Sequence, residues 1–393
     1  MESKEYIAIF IIGMLMVWTG CKKPYMPPAI TTASNYLVVE GVINTGPDST
    51  IIRLSRTVPL SSSAGTTPEA GATVAVESDA NTSYPLTETG NGHYVTAGLN
   101  LSSSNKYRLK ITTSDNKAYQ SDFVAVKNSQ PIDSVNYTVN GNGVEVNVSS
   151  HDPSNNTKYY RWDYNETWII HSAYYSSEML VKNPDTILYR PATNQIYTCW
   201  TSAASNDIVL GSTAKLSRDV IVNTPIAFVP STSEKVGVRY SILVKQYALT
   251  PDAFNYWQQL RKITEQLGGI FDPQPSEITG NIHCITIPSE PVIGYISAGQ
   301  VSQKRIFIDN KNLPAWSPIT PNAGCYLDTL LYQRPIGPNV INEVAETLYT
   351  GFQIPVTSIG RPNSTVILGF LGSTPDCVDC TLRGTNKQPD FWK

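Results

Sequence analysis

The six cysteines are the side chains of this chain best suited to covalent chemistry. The first, Cys21, follows the run Leu15-Met-Val-Trp-Thr-Gly20 and precedes Lys22-Lys23-Pro24. The apolar stretch from Tyr6 to Trp18 is too short to span a hydrocarbon core, which takes about 20 residues. It has the length of a signal-peptide apolar region, about 7–15 residues. Thr19 and Gly20 are small enough to let a peptidase approach, and a cysteine placed just after them resembles a bacterial lipobox. The thiol of such a cysteine is acylated and becomes the new N-terminus. Trp18 departs from the Leu usual at its position, and Met1–Glu5 carries no net positive charge. A cleaved signal with an incidental cysteine, or a weak membrane anchor, is the competing reading. The expectation is residues 1–20 as a lipoprotein signal peptide, Cys21 as the lipidated residue, and 21–34 as a proline-stiffened tether.

Five cysteines remain: Cys199, Cys284, Cys325, Cys377 and Cys380. An odd number leaves at least one outside any internal bridge. Cys377-Val-Asp-Cys380 has redox spacing, but Pro375 precedes it and a loop-like Arg383-Gly-Thr385 follows, where a redox motif needs a strand and a helix. Zinc would want a second such pair or paired histidines. His93, His151, His171 and His283 are scattered, so no metal or cofactor is expected. A structural disulfide in the tail is expected instead, with Cys325 bridged to Cys377 or Cys380. The rival is a local Cys377–Cys380 bond that leaves Cys325 free.

Catalytic signatures are missing: no Gly-x-Ser-x-Gly, no His-Glu-x-x-His, no phosphate-cradling loop. The carboxylate pairs Asp376 with Asp379 and Asp163 with Glu166 read as surface or hairpin positions. A non-catalytic protein is expected. The net charge of −3 over 393 residues leaves no basic stripe for nucleic acid.

Which elements position these residues? An apolar fraction of 41% supports a buried core, while only 16% of residues are charged. With 22 Tyr and 7 Trp, the chain reads as extracytoplasmic and mainly all-β. Short strands at even spacing from Tyr36 to Val126, with turn signals between them, predict an N-terminal Ig-like β-sandwich over 35–128. A second β-rich domain is expected over 129–393, giving tandem Ig-like or fibronectin-like sandwiches. Asn140-Gly-Asn-Gly143 between two alternating runs predicts a hairpin. In Tyr159-Tyr-Arg-Trp-Asp-Tyr-Asn-Glu-Thr-Trp168 alternation puts Tyr160, Trp162 and Tyr164 on one face, read as core rather than sugar platform, and Tyr159, Arg161, Asp163 and Asn165 on the other. The pattern breaks over 172–206, read as a long loop insertion whose Tyr174, Tyr175, Tyr189 and Tyr197 are candidate binding aromatics. One prominent helix is expected over 251–267: Thr250 caps it, Pro251 opens it, and Phe254, Trp257, Leu260, Ile263 and Leu267 recur at helical spacing. A disulfide-stapled C-terminal region follows, and Phe391 and Trp392 are expected to dock on the C-terminal domain.

The stretches "YLVVEGVINTGPDSTIIRLSRT", "YYRWDYNETW", "GGIFDPQPSEITGNIHC" and "CVDCTLRGTNKQPDFW" resemble, in this order, the domain of unknown function 4249 family. That resemblance implies an outer-membrane lipoprotein, often encoded beside a TonB-dependent transporter, and brings no established catalytic residues. It implies an accessory or binding partner of such a transporter in nutrient uptake, lipid-anchored at Cys21, with the membrane face open because Lys22-Lys23 replaces the acidic residues associated with surface sorting. The alternative is a surface glycan-binding lipoprotein that uses exposed aromatic residues on a glycan or small ligand.

Overall fold

The computed structural model describes residues 35–58, 65–265, 279–361 and 365–392. Cys21, the signal segment and the tether lie outside the described residues, as do Leu267 and the glycines after it.

The first unit is one curled sheet, not a self-contained segment. Its strands run in the order 282–284, 118–121, 106–112, 73–78, 83–90, 93–96, 50–56, 37–44 and 292–294. One core fills it: Leu37, Ile52, Val74, Leu109, Tyr119 and Ile282 all belong to a single apolar cluster. Three of its strands come from far downstream, so the expected boundary at residue 128 is corrected. Ile282–Cys284 adds antiparallel to Ala118–Ser121, while Val292–Gly294 and Ala298–Gly299 pair in parallel with Leu37–Asn44. Gly294 permits this: its φ is +145°, and a Cβ there would sit 2.2 Å from the Val39 carbonyl oxygen. A buried ion network holds the returning segment. Arg56 donates to Glu69 at 2.5 Å and lies 3.5 Å from Glu290, which also accepts from Tyr119 at 2.6 Å and Lys117 at 2.9 Å.

The second unit is a sandwich. A three-stranded sheet, Ile132–Asn140, Gly143–His151 and Val220–Pro230, faces a five-stranded one. The latter comprises Thr198–Ala204, Tyr159–His171, Arg239–Ala248 and Ser302–Asp309, with Val209–Ser212 also paired to Tyr159–His171. The expected hairpin is present, Asn140 opposite Gly143, its turn bound by the Asn140 side chain at 2.9 and 3.1 Å. Tyr160, Trp162 and Tyr164 lie in the core, as alternation requires. The Trp162 indole donates to Gln246 at 2.9 Å, and the Gln246 amide reaches Ser129, Gln130 and Ser150, so this buried polar group is fully satisfied.

The helix spans Pro251–Glu265, with Thr250 capping the Ala253 amide at 3.2 Å. The 172–206 stretch is not a structureless loop. It holds a hairpin, Glu178–Val181 with Thr186–Tyr189, then the strand Thr198–Ala204, which joins the five-stranded sheet. The hairpin lies beside a third sheet formed by Asp328–Leu331, Ile367–Ser373 and Ile354–Gly360. Cys325 is bonded to Cys377 and Cys199 to Cys380, while Cys284 is buried and unbonded. The local Cys377–Cys380 bond is not formed.

Candidate functional site

Because side chains alternate across the five-stranded sheet, its outer face carries residues that its core face cannot. Arg161 stands opposite Tyr247, and Asp163 opposite Lys245. Lys245 in turn stands opposite Gln303, so polar groups run in rows across three strands. The first unit approaches this face with the strand Val38–Val42 and the returning Ile293–Tyr295, and the helix roofs the gap with Tyr256, Trp257 and Leu260. The result is a groove of about 760 Å³, within the range of about 300–1,000 Å³ usual for small-molecule sites.

Both units anchor the roof. Phe254 packs on Tyr159 with centroids 4.7 Å apart, and Tyr256 on Tyr295 at 5.3 Å. The Arg161 guanidinium is clamped 4.0 Å from the Trp257 ring and 4.5 Å from that of Tyr247. Its Nη2 donates to Asp163 at 3.0 Å, and its buried Nε finds no partner among the described residues. Arg161 is only 8% exposed, so its charge is spent on the protein itself. Burial, then the Asp163 carboxylate, pushes the Tyr247 hydroxyl well above the usual phenol range. Burial pushes Tyr256 up to about 12. Both therefore stay protonated at neutral pH as hydrogen-bond donors.

The four tyrosines of the 172–206 stretch do not converge. Tyr174 turns inward, its hydroxyl donating to the Cys325 carbonyl at 3.0 Å. Tyr175 meets Tyr197 edge-on at 5.7 Å, and Tyr197 stacks on His171 at 4.7 Å. Tyr189 stands alone on its hairpin, 73% exposed. The carboxylates Asp163 and Glu166 lie on opposite faces of the sheet. Glu166 is buried and accepts from Lys235 at 2.6 Å and Tyr240 at 2.7 Å. Asp379 caps Thr381 at 2.8 Å. Among the described residues no cluster of His, Cys, Asp and Glu is arranged to hold a metal.

At its far end the same sheet face is covered by the C-terminal tail. Trp392 is 5% exposed, edge-on to Trp200 at 6.4 Å and to Phe307 at 5.4 Å. The Arg305 guanidinium lies 3.6 Å from the Phe391 ring centroid, and Arg383 bonds Glu234 at 2.9 Å. The tail thus docks on the second sandwich, within the C-terminal domain.

Sequence reading placed Arg161, Asp163 and Asn165 on one face and Trp257 on a helix, but it gave them no common site. The missing information was the register with Arg239–Ala248 and the return of 279–300. A family model described as a domain of unknown function (DUF4249) matches residues 22–305. No curated protein matches the chain.

Proposed function

The chain belongs to the DUF4249 family, and on that premise we propose that it is a non-catalytic binding lipoprotein of the outer membrane, anchored through Cys21 and acting as an accessory to a TonB-dependent transporter in nutrient uptake. The observation that carries the binding half of this reading is the roofed groove, whose walls come from two separately cored units and whose four carboxylates each accept from, or pair with, a group of the protein. A paired, preformed lining suits reversible holding of a ligand, because little must be reorganised on entry. Anchoring rests on the sequence around Cys21. Among the described residues no helix is long and apolar enough to cross a membrane. The transporter rests on the family resemblance.

Two measurements test the proposal. Mass spectrometry of the mature N-terminus should find an acylated Cys21, and Cys21→Ala should release the protein from membranes. Affinity capture from detergent-solubilised outer membrane should recover a transporter in stoichiometric amount. An unmodified N-terminus elsewhere would defeat the anchor, and capture of no transporter would defeat the partner. The alternative, a surface glycan-binding role, is served better by the groove than by the four tyrosines, of which only Tyr175 and Tyr197 meet.

A further inference from the structure

The lining of the groove is specific in its chemistry. Its acidic groups are Glu40, Asp48, Asp163 and Asp207, and its basic groups are Arg161 and Lys245. The four carboxylates already have partners. Glu40 is 3.4 Å from Arg53, Asp48 accepts from Gln303 at 3.3 Å, Asp163 from Arg161 at 3.0 Å, and Asp207 from Tyr164 at 3.4 Å. Around them stand the amides of Asn44, Asn165 and Asn206 and the hydroxyls of Ser49 and Ser205.

Each ligand class meets this lining differently. An anion finds two cations, one of them committed to two aromatic rings and a carboxylate, against four negative charges. A cation finds Glu40 and Asp163 already paired with Arg53 and Arg161 and Lys245 opposing it on the same wall, which leaves Asp48 and Asp207 as its counter-charges. An apolar ligand would meet Val42, Ile51, Leu260 and Ile293, but it would also strip water from the amides and carboxylates among them without replacing their hydrogen bonds. An uncharged ligand dense in hydroxyls fits. A carboxylate fixed by one donor has lone pairs left for ligand hydroxyls, amides serve as donor and acceptor at once, and the half-buried Trp257 and Tyr295 offer ring surface for C–H faces.

We infer that the groove binds an uncharged saccharide chain, with Asp163 and Asn165 as specificity-determining acceptors and donors and Trp257 as the apolar face. This rests on the reading that the groove is the ligand site. Arg161 is a positioning residue: it fixes Asp163 and supports Trp257 without needing to touch the sugar.

The full-length protein in detergent is titrated calorimetrically with three probe sets: neutral gluco-, manno- and xylo-oligosaccharides, oligogalacturonides, and oligolysine. At least one neutral oligosaccharide should bind. Trp257→Ala and Asp163→Asn should each weaken it at least tenfold. Asn165→Trp, at an exposed position that leaves the fold intact, should abolish it by filling the groove. Oligogalacturonide or oligolysine binding that Asn165→Trp abolishes would overturn the saccharide class and leave the groove as the ligand site. Neutral-sugar binding unchanged in Asn165→Trp would overturn the groove itself. Binding of no neutral oligosaccharide overturns the inference.

Discussion

The outer face of the five-stranded sheet ends in two different ways. At one end Trp392 fills the space between Trp200 and Phe307, and Thr167 and Ser241 beneath it are buried. At the other end Trp257 lies over Arg161, and a groove stays open beside it. Both covers use an aromatic ring against an arginine on the same sheet. The difference lies in how each cover is attached. The tail is stapled close to its dock by Cys199–Cys380, next to Trp200 itself. The helix is held at its first two turns by Phe254 and Tyr256, against two different units. A short covalent attachment closes a surface, whereas an element bridging two bodies holds them apart and leaves space between. On the proposed reading the strapped end serves stability and the roofed end binding, and four measurements can break or sharpen that division.

The largest effect is expected from Cys199→Ser with Cys380→Ser. The bond joins residues 181 apart, and chain entropy sets an upper figure of about 5 kcal/mol for a loop of that size. Urea unfolding of the double variant should show most of that loss, with ligand affinity in the groove nearly unchanged. Trp392→Ala comes next. Truncating so buried a Trp costs about 3–5 kcal/mol, and calorimetric melting should register it while Trp257 fluorescence stays native. Should Trp392→Ala instead abolish binding, the two ends are coupled and the division fails.

The third effect is a pH dependence on the roofed side. Asp152 is buried, which raises its carboxyl pKa. Hydrogen bonds from Ser154, Thr157 and Asn156 outweigh that and hold it at about 2. This loop leads into Tyr159, on which the helix packs. A carboxyl depressed from 3.8 to about 2 contributes stability that is present above about pH 4 and is lost as pH falls through 2. The size is about 2.5 kcal/mol. Denaturant midpoints between pH 5 and pH 2 should fall accordingly, and Asp152→Asn should flatten the slope. The smallest stability effect is expected from Trp257→Ala. A half-exposed cation–π contact is worth about 1 kcal/mol, so unfolding should barely shift even though binding is lost.

Much of this architecture can be read from residues alone. Period-two alternation locates the strands of both units, and it places Tyr160, Trp162 and Tyr164 inward because a strand has only two faces. Thr250-Pro251 and the spacing of Phe254, Trp257 and Leu260 locate the helix. Strand-forming runs are legible at 283–287 and 292–298, where Ile282–Cys284, Val292–Gly294 and Ala298–Gly299 form, but their pairing is not: such short segments fix no register, and their partners stand far away in the chain. The hairpin Glu178–Val181 with Thr186–Tyr189 fails for the same reason, since four residues a side around Asn183-Pro184-Asp185 read as loop. Arg161 illustrates the limit for the site. A charged residue on the polar side of a strand is an ordinary solvent position until a second body arrives to bury it.

The returning segment also sets a timetable. Tyr119 cannot complete its hydrogen bond until Glu290, 171 residues later, has been made, and Val126 waits equally long for Ala298. The first unit to be synthesised therefore cannot close before residues 282–299 are made. Its strands must remain open until all of the second sandwich except Ser302–Asp309 has been made. Such long-range closure is intrinsically slow.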